Sequence, residues 1–367
     1  MNKFSIIIPT YNRPYYLQRT LSYYIGSENR FSIIVADSSS EENKKTNKEI
    51  IASTANADIL YFCDYSSTIG PSQKIFDAFS HIGTKYCVIC ADDDFIIQDS
   101  INKSVDFLEN NPDFTVAHGR YISFYLAVNN KGRARFYWAP RYKCISNIFP
   151  DPKHRLTEHL ANYSLPTFYG VHRTDFIKMI FKETLEFTND VRFGELLPSM
   201  LASIYGKIKC LDVLYAARDL GSANGYPPSL GDYVKDGTYN EKYLKFRSCL
   251  ATHLNKVSNL SIKESKKVVD TAMSSYRETQ HSNRRIWSNK LKYVLDHLKL
   301  PDWMNERMRK LYRNLFLLIC MRTDGCENFA DTAASKYYYD DLNKMRLRVL
   351  TYSQNPQNNT FRAKAKK

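Results

Sequence analysis

Asp92, Asp93 and Asp94 stand in a row directly after the apolar run Tyr86 to Cys90. Three adjacent carboxylates repel one another, so their position calls for a cation close by. Carboxylates at the end of a buried strand suit a divalent ion: Mg2+ or Mn2+ takes one or two of them and completes its shell with phosphate oxygens and water. For such a triplet taken alone, a solvated acidic turn or a cluster stabilising the N-terminus of the next helix is the alternative. The surroundings favour the metal. Asp37 closes a second apolar run, Phe31 to Ala36, and a third, Phe4 to Pro9, opens into Thr10, Tyr11 and Asn12.

The elements that must hold these residues follow from the hydrophobic periodicity. "FSIIIPTYN" reads as a buried strand entering a loop at Pro9. Leu17, Leu21, Tyr24 and Ile25 recur at helical spacing behind Pro14, and Phe31 to Ala36 is the next strand. A strand, helix and strand at this spacing form a unit that requires a parallel sheet and a right-handed crossover. The rhythm continues through a strand at 57–65, a helix at 70–82 with Ile75, Phe76 and Phe79 on one face, the strand before Asp92, a helix after Asp99 and a strand region from Phe114. In an open parallel α/β sheet, ligands bind at the C-terminal ends of the strands, which is where Thr10, Asp37 and the three aspartates fall.

With 367 residues, 43% of them apolar and 14% aromatic, the chain has ample material for a large core. The first residues have too short an apolar run for a secretory signal, and no run approaches the length of a transmembrane helix, so the expected location is cytoplasmic. Eight cysteines in a chain of this length do not resemble a disulfide framework. Cys87 and Cys90, spaced as a metal or redox pair, sit in an apolar strand without a second pair nearby and read as small buried hydrophobes.

The segments "SIIIPTYNRPYYLQRTLSYY", "IIVADSSS" and "CVICADDDF" resemble the opening motifs of the family 2 glycosyltransferases, nucleotide-sugar-dependent enzymes of the GT-A fold. The resemblance extends over about residues 1–220. It implies an α/β, GT-A catalytic domain with a mostly parallel sheet over residues 1–230. It further implies that Pro9, Thr10, Tyr11 and Arg13 line the nucleotide site, that Asp37 accepts a hydrogen bond from the base, and that Gly70 and Lys74 lie near the phosphates. Asp94 is implied as the Mn2+ or Mg2+ ligand with Asp92 as its partner, and Asp92 or Asp93 as the ribose contact. Two departures stand out: Ala91 occupies the first acidic place of the metal motif, and Ala36 replaces an acidic neighbour of Asp37.

Inverting members of that family use an acidic general base at the start of a helix that precedes a Gly, a strand and an Arg. Glu195, eleven residues before Gly206, has the expected spacing. Asp190 competes, because Asn189-Asp190 looks more like the family's acidic pair. Arg218 resembles an Arg that meets the diphosphate, and His172 reads as a packed or solvated histidine.

The charge is uneven: residues 231–367 hold 27 Lys and Arg against 14 Asp and Glu, out of a net charge of +14 for the whole chain. Helical periodicity dominates there, so 231–352 reads as an appended basic helical region and 353–367 as a disordered tail. The segments around Trp287 and Trp303 outline amphipathic helices with basic flanks. Such helices either lie peripherally on the inner face of an anionic membrane, pack on the catalytic domain with solvated basic faces, or bind an acidic acceptor. No nucleic-acid motif accompanies the charge.

The expected function is metal-dependent, inverting transfer of a sugar from a UDP-linked donor to a hydroxyl of a bacterial-type surface glycan, free or lipid-linked. The alternatives are a nucleotidyl- or polyol-phosphate transferase using the same acidic edge, and a non-catalytic glycan- or membrane-binding module. Oligomeric state is left open.

Overall fold

The computed structural model describes residues 3–25, 31–54, 58–128, 134–139, 142, 144–187, 190–220, 228–297, 322–323 and 335–354. Four parallel strands form the half of the sheet that carries the acidic edge, in the order β3 (Ile59–Phe62), β2 (Ser32–Asp37), β1 (Phe4–Thr10), β4 (Tyr86–Ile89). Their side chains are apolar in succession rather than alternating, because helices cover both faces. The register pairs Thr10 with Asp37, and the Cys90 amide donates to the Ile7 carbonyl at 2.8 Å. The three polar strand ends therefore meet at one level.

Helix α1 (Pro14–Ile25) begins on a proline whose missing amide is one the first turn leaves unused anyway. Its buried face holds Leu17, Leu21 and Tyr24, and also Arg19 and Thr20. Helices α2 (Glu41–Ala52), α3 (Pro71–Ala78) and α4 (Gln98–Asn110) follow β2, β3 and the two-residue strand β5 (Phe95–Ile96). Where the periodicity predicts one helix over 70–82, α3 ends at Ala78 and the last residues form a 3-10 turn, Phe79–His81.

The other half of the sheet is mixed. The long strand β6 (Phe114–Val128) pairs antiparallel with β7 (Ala134–Ala139) and β8 (Val171–Arg173), and parallel with β9 (Lys207–Asp219). The short strand β10 (Arg322–Thr323) pairs with β7. Strand β9 also pairs with β5, Ala217 opposite Phe95 and Ala216 opposite Ile96, which brings Arg218 and Asp219 to Asp94. Helices α5 (Pro152–Ala161), α6 (Thr174–Phe187) and α7 (Val191–Tyr205) complete this half.

The C-terminal helices are α8 (Leu230–Lys235), α9 (Tyr239–Val257), α10 (Ile262–His297) and α11 (Ser335–Gln354). These helices share cores with the α/β part. Phe246, Leu250, Leu254, Val269 and Met273 pack with Phe193, Leu196, Leu197 and Met200 of α7. Leu342, Met345 and Val349 of α11 pack on Phe95, Phe124, Phe136 and Trp138 over the sheet. Tyr352 donates a hydrogen bond to Gln18 of α1 at 2.7 Å. Among the described residues no helix is long and apolar enough to cross a membrane. The side chains around Trp287 and Trp303, and most of the tail, lie outside the described residues.

One glycine controls how closely β6 and β9 approach. A Cβ on Gly119 would stand 2.4 Å from the Val213 carbonyl oxygen, at a register shift in the pairing. Backbone cannot yield as a side-chain tip does. Gly119→Ala is expected to cost about 1–3 kcal/mol, read as a lower midpoint in chemical denaturation, and to weaken the site through the displaced end of β9.

Candidate active site

The cations demanded by the three aspartates are arginines. Arg13, just before α1, spans two of them: one terminal nitrogen lies 2.8 Å from Asp92 Oδ1 and the other 2.5 Å from Asp93 Oδ2. Arg218, near the end of β9, meets Asp94 Oδ2 through Nε at 3.0 Å, and the Asp219 amide donates to Asp94 Oδ1 at 3.0 Å. Beneath them Arg19, 2% exposed, pairs with Asp219 at 2.8 Å and donates to the Asp93 carbonyl at 2.6 Å. Its guanidinium is stacked near the rings of Tyr16, Phe95 and Phe124. Thr10 donates to Asp92 Oδ2 at 2.6 Å and Thr20 to the Asp92 carbonyl at 2.7 Å.

Burial pushes the Asp92 and Asp94 carboxyls above the ordinary carboxylate range, Arg13 and Arg218 oppose this, and the charge of Asp93 adds to it. Four carboxylates, Asp92, Asp93, Asp94 and Asp219, are thus gathered around three arginines. Hard carboxylate oxygens in that condition fit Mg2+ or Mn2+. Asp94, with Asp92, would hold the ion, whose other ligands would be phosphate oxygens and water. Among the described residues no three acidic, histidine or cysteine side chains form an all-protein metal cage.

The loop after β1 is knitted to the loop after β2. Asn12 adopts a left-handed φ of 53°, its amide donates to Ser39 Oγ at 2.7 Å, and its side-chain oxygen accepts from the Ser40 amide at 2.8 Å. Asparagine tolerates that conformation better than most residues. Lys74 is not an exposed helix lysine. It is 4% exposed and donates to the Thr10 carbonyl at 2.7 Å and to Ser38 Oγ at 3.0 Å; burial pushes its pKa down to about 8, against the pull of Asp92 and Asp37. It braces both loops from below.

Asp37 is fully buried. It accepts from the Ser39 amide (2.8 Å), Asn47 Nδ2 (2.7 Å) and the Tyr61 hydroxyl (2.6 Å). The protein's own donors take three of the roughly four acceptor sites of the carboxylate implied to read the base, and because Asp37 has no exposed surface a base reaches it only if a neighbouring group moves. Pro9 is half-buried, and Tyr11, 47% exposed, is open to a ligand. Gly70 precedes α3 in extended backbone with open space where a Cβ would stand, so local geometry does not require glycine there. His172 is packed: it is 1% exposed, Nε2 lies 2.9 Å from the Thr167 carbonyl, and burial pushes its pKa down to about 4. Cys87 and Cys90 are buried thiols, Cys87 pushed up to about 12 by burial.

The two candidate bases differ in surroundings. Glu195, in the second turn of α7, pairs with Arg192 at 3.1 Å; burial raises its pKa, while Arg192 and Arg218 pull it back. It is thus within the field of the arginine that grips Asp94. Asp190 caps the same helix, accepting from the Phe193 amide at 2.8 Å, and its other oxygen takes the Tyr233 hydroxyl and Lys242 Nζ at 2.8 Å. These contacts hold α7 to α8 and α9.

Sequence reading missed Arg19, Thr20 and Asp219 as parts of the site. A signal was available for the first two: an arginine and a threonine on the otherwise apolar face of α1 must have buried partners.

Residues 5–178 match the family model described as glycosyl transferase family 2. Over that segment the chain is similar to this family of glycosyltransferases. No curated protein matches the chain significantly. Among solved structures the chain is similar to S. aureus TarS 1–349, in a structure titled as a complex with UDP: 13% identity, 96% of this chain and 89% of that chain covered, TM-score 0.48. It is also similar to the mannosyltransferase PcManGT from Pyrobaculum calidifontis, in a structure titled as a complex with GDP-Man and Mn2+: 11% identity, 80% of each chain, TM-score 0.40. The family likeness rests on the matched segment.

Asp190→Ala is expected to remove a cap and a largely buried ion pair together, lowering unfolding free energy by roughly 2–4 kcal/mol. Glu195→Gln should leave the melting temperature within about 2 °C of wild type. Thermal melts of both variants check the contrast.

Proposed function

We propose that the chain transfers a sugar from a nucleotide-sugar donor, UDP-linked, to a hydroxyl of a surface-glycan acceptor with inversion at the anomeric carbon. One observation carries the reading: at the edge where β1 and β2 end in knitted loops, Asp92, Asp93 and Asp94 are gathered in ion pairs with Arg13 and Arg218. Tyr11 and Arg13 bind the nucleotide, and Asp94 with Asp92 hold Mn2+ or Mg2+, which when bound supplies positive charge for the diphosphate. Residues 1–230 form the catalytic unit and 231–352 its helical support.

Glu195 takes the proton of the acceptor hydroxyl as that oxygen attacks the anomeric carbon. The bond from this carbon to the phosphate oxygen breaks, and its electron pair stays with the departing nucleoside diphosphate. Arg218 and Arg13 offer the leaving group charge-assisted hydrogen bonds. Glu195 suits the base role better than Asp190, since burial makes it more basic and the oxygens of Asp190 are already engaged.

Product analysis separates this reaction from its alternatives. Release of nucleoside diphosphate supports glycosyl transfer, release of monophosphate or pyrophosphate supports a nucleotidyl- or polyol-phosphate transferase, and glycan binding without turnover supports a binding module. Asp94→Ala is expected to abolish the Mn2+-dependent part of UDP binding in calorimetry; unchanged affinity with and without the ion would remove the metal assignment.

Because a base must be deprotonated to act, turnover should fall as pH drops through the Glu195 pKa, which lies above the free-glutamate value of 4.5. Arg192→Leu removes an opposing charge and should move that acidic limb to still higher pH. A pH-rate profile of wild type and variant checks both the limb and the sign of its movement.

A further inference from the structure

Apart from the acidic edge, a cavity of about 40 Å³ lies between β6, β9 and α5, lined by residues that include Tyr121, Asn147, His159 and Thr167. Each of these four carries a buried polar atom with no hydrogen-bond partner: the Tyr121 hydroxyl, Asn147 Oδ1, His159 Nε2 and the Thr167 hydroxyl. Fifteen side-chain atoms share that condition among the described residues, and with the Tyr163 hydroxyl five of them belong to this one lining, a concentration. Buried polar atoms without partners are costly, and native structures retain them where water or a ligand satisfies them.

The surroundings tie this cavity to the reaction centre. The Thr167 amide donates to Ser199 Oγ at 2.9 Å, and Ser199 lies one turn beyond Glu195 on the same face of α7. The Tyr121 ring meets Tyr142 edge-on at 6.2 Å, and the Arg218 guanidinium lies over the Tyr142 ring at 5.7 Å. The cavity therefore connects on one side to the helix of the candidate base and on the other to the arginine that holds Asp94.

Its chemistry excludes several ligands. No lysine or arginine lines it, so it is not a phosphate site, and Glu158 in the lining would repel an anion. Burial pushes His159 down to about 4 and lowers His118 as well, which leaves both rings neutral near pH 7. Neutral imidazole, hydroxyl and amide groups offer donors and acceptors together, which matches a hydroxyl or an amide. The volume has room for roughly two to three water-sized groups, too little for a sugar ring and enough for one arm of it.

We propose that this cavity is an acceptor subsite that takes one neutral hydrogen-bonding arm of a sugar, a hydroxymethyl or acetamido group, and so selects the acceptor presented to Glu195. The inference rests on the glycosyl-transfer reading above. A site built to hydrogen-bond a substituent rejects analogues that lack it, because its own polar atoms are then left without partners.

The test uses the full chain and ligand-observed NMR titrations, with and without UDP. The probes are methyl β-glycosides of D-glucose, D-galactose, D-mannose and N-acetyl-D-glucosamine, each paired with analogues deoxygenated at C2, C4 or C6. The variants are Tyr121→Phe, Thr167→Val and their combination, which delete hydroxyls that hold nothing else in place. The expected result is that at least one glycoside binds wild type, that the double variant weakens it at least about five-fold, and that one deoxy analogue binds both proteins equally. If the double variant melts more than a few degrees early, Tyr121→Phe alone is read, with about a two-fold loss or more expected. Equal binding of every glycoside to wild type and variants, or no binding to wild type, means that the cavity holds only water and overturns the proposal. Failure of UDP to bind wild type would instead count against the donor reading, while the titrations without UDP still judge the cavity.

Discussion

The structure depends on balancing buried negative charge. Asp92, Asp93, Asp94 and Asp219 come within one cluster, and three arginines from distant parts of the chain meet them. Moving such charges out of water costs several kcal/mol each, which only close pairing and additional hydrogen bonds offset. Arg13 and Arg19 flank the start of α1, while Arg218 and Asp219 end β9, so the cluster joins the first helix to the last strand of the α/β part.

The same dependence explains why α1 carries an arginine and a threonine on its buried face. An apolar residue at position 19 would pack against Phe95 and Phe124 but would take a charged donor away from the Asp93 carbonyl and the Asp219 carboxylate. Removing one partner of a buried pair costs more than the pair ever contributes, because the remaining charge has no water to turn to.

The C-terminal helices pack against this construction. Helix α7 carries Glu195, and its packing against α9 and α10, with Asp190 held by Tyr233 and Lys242, sets where that carboxylate lies. Helix α11 covers the opposite region, over Phe95 and Phe124, and so sits above the rings around Arg19.

The parallel half of the sheet and its acidic edge were legible in the sequence, because short apolar runs ending in polar residues alternate with helical periodicity, the pattern of parallel strands joined by crossover helices with their polar ends at one edge. The motifs Thr10 to Arg13 and Asp92 to Asp94 were visible for the same local reason. What the sequence did not reveal were the partners: Arg218 and Asp219 lie more than a hundred residues from Asp94 and reach it only because β9 pairs with both β5 and β6. Nor did it reveal that Lys74 is a buried brace, that Asp37 is enclosed by Ser39, Asn47 and Tyr61, or that Asp190 is committed to capping and an ion pair. Local spacing determines periodicity, turns and which residue types share a strand end. Burial, charge pairing and the assignment of each carboxylate's donors depend on which distant segments the fold brings into contact, and only the tertiary structure decides that.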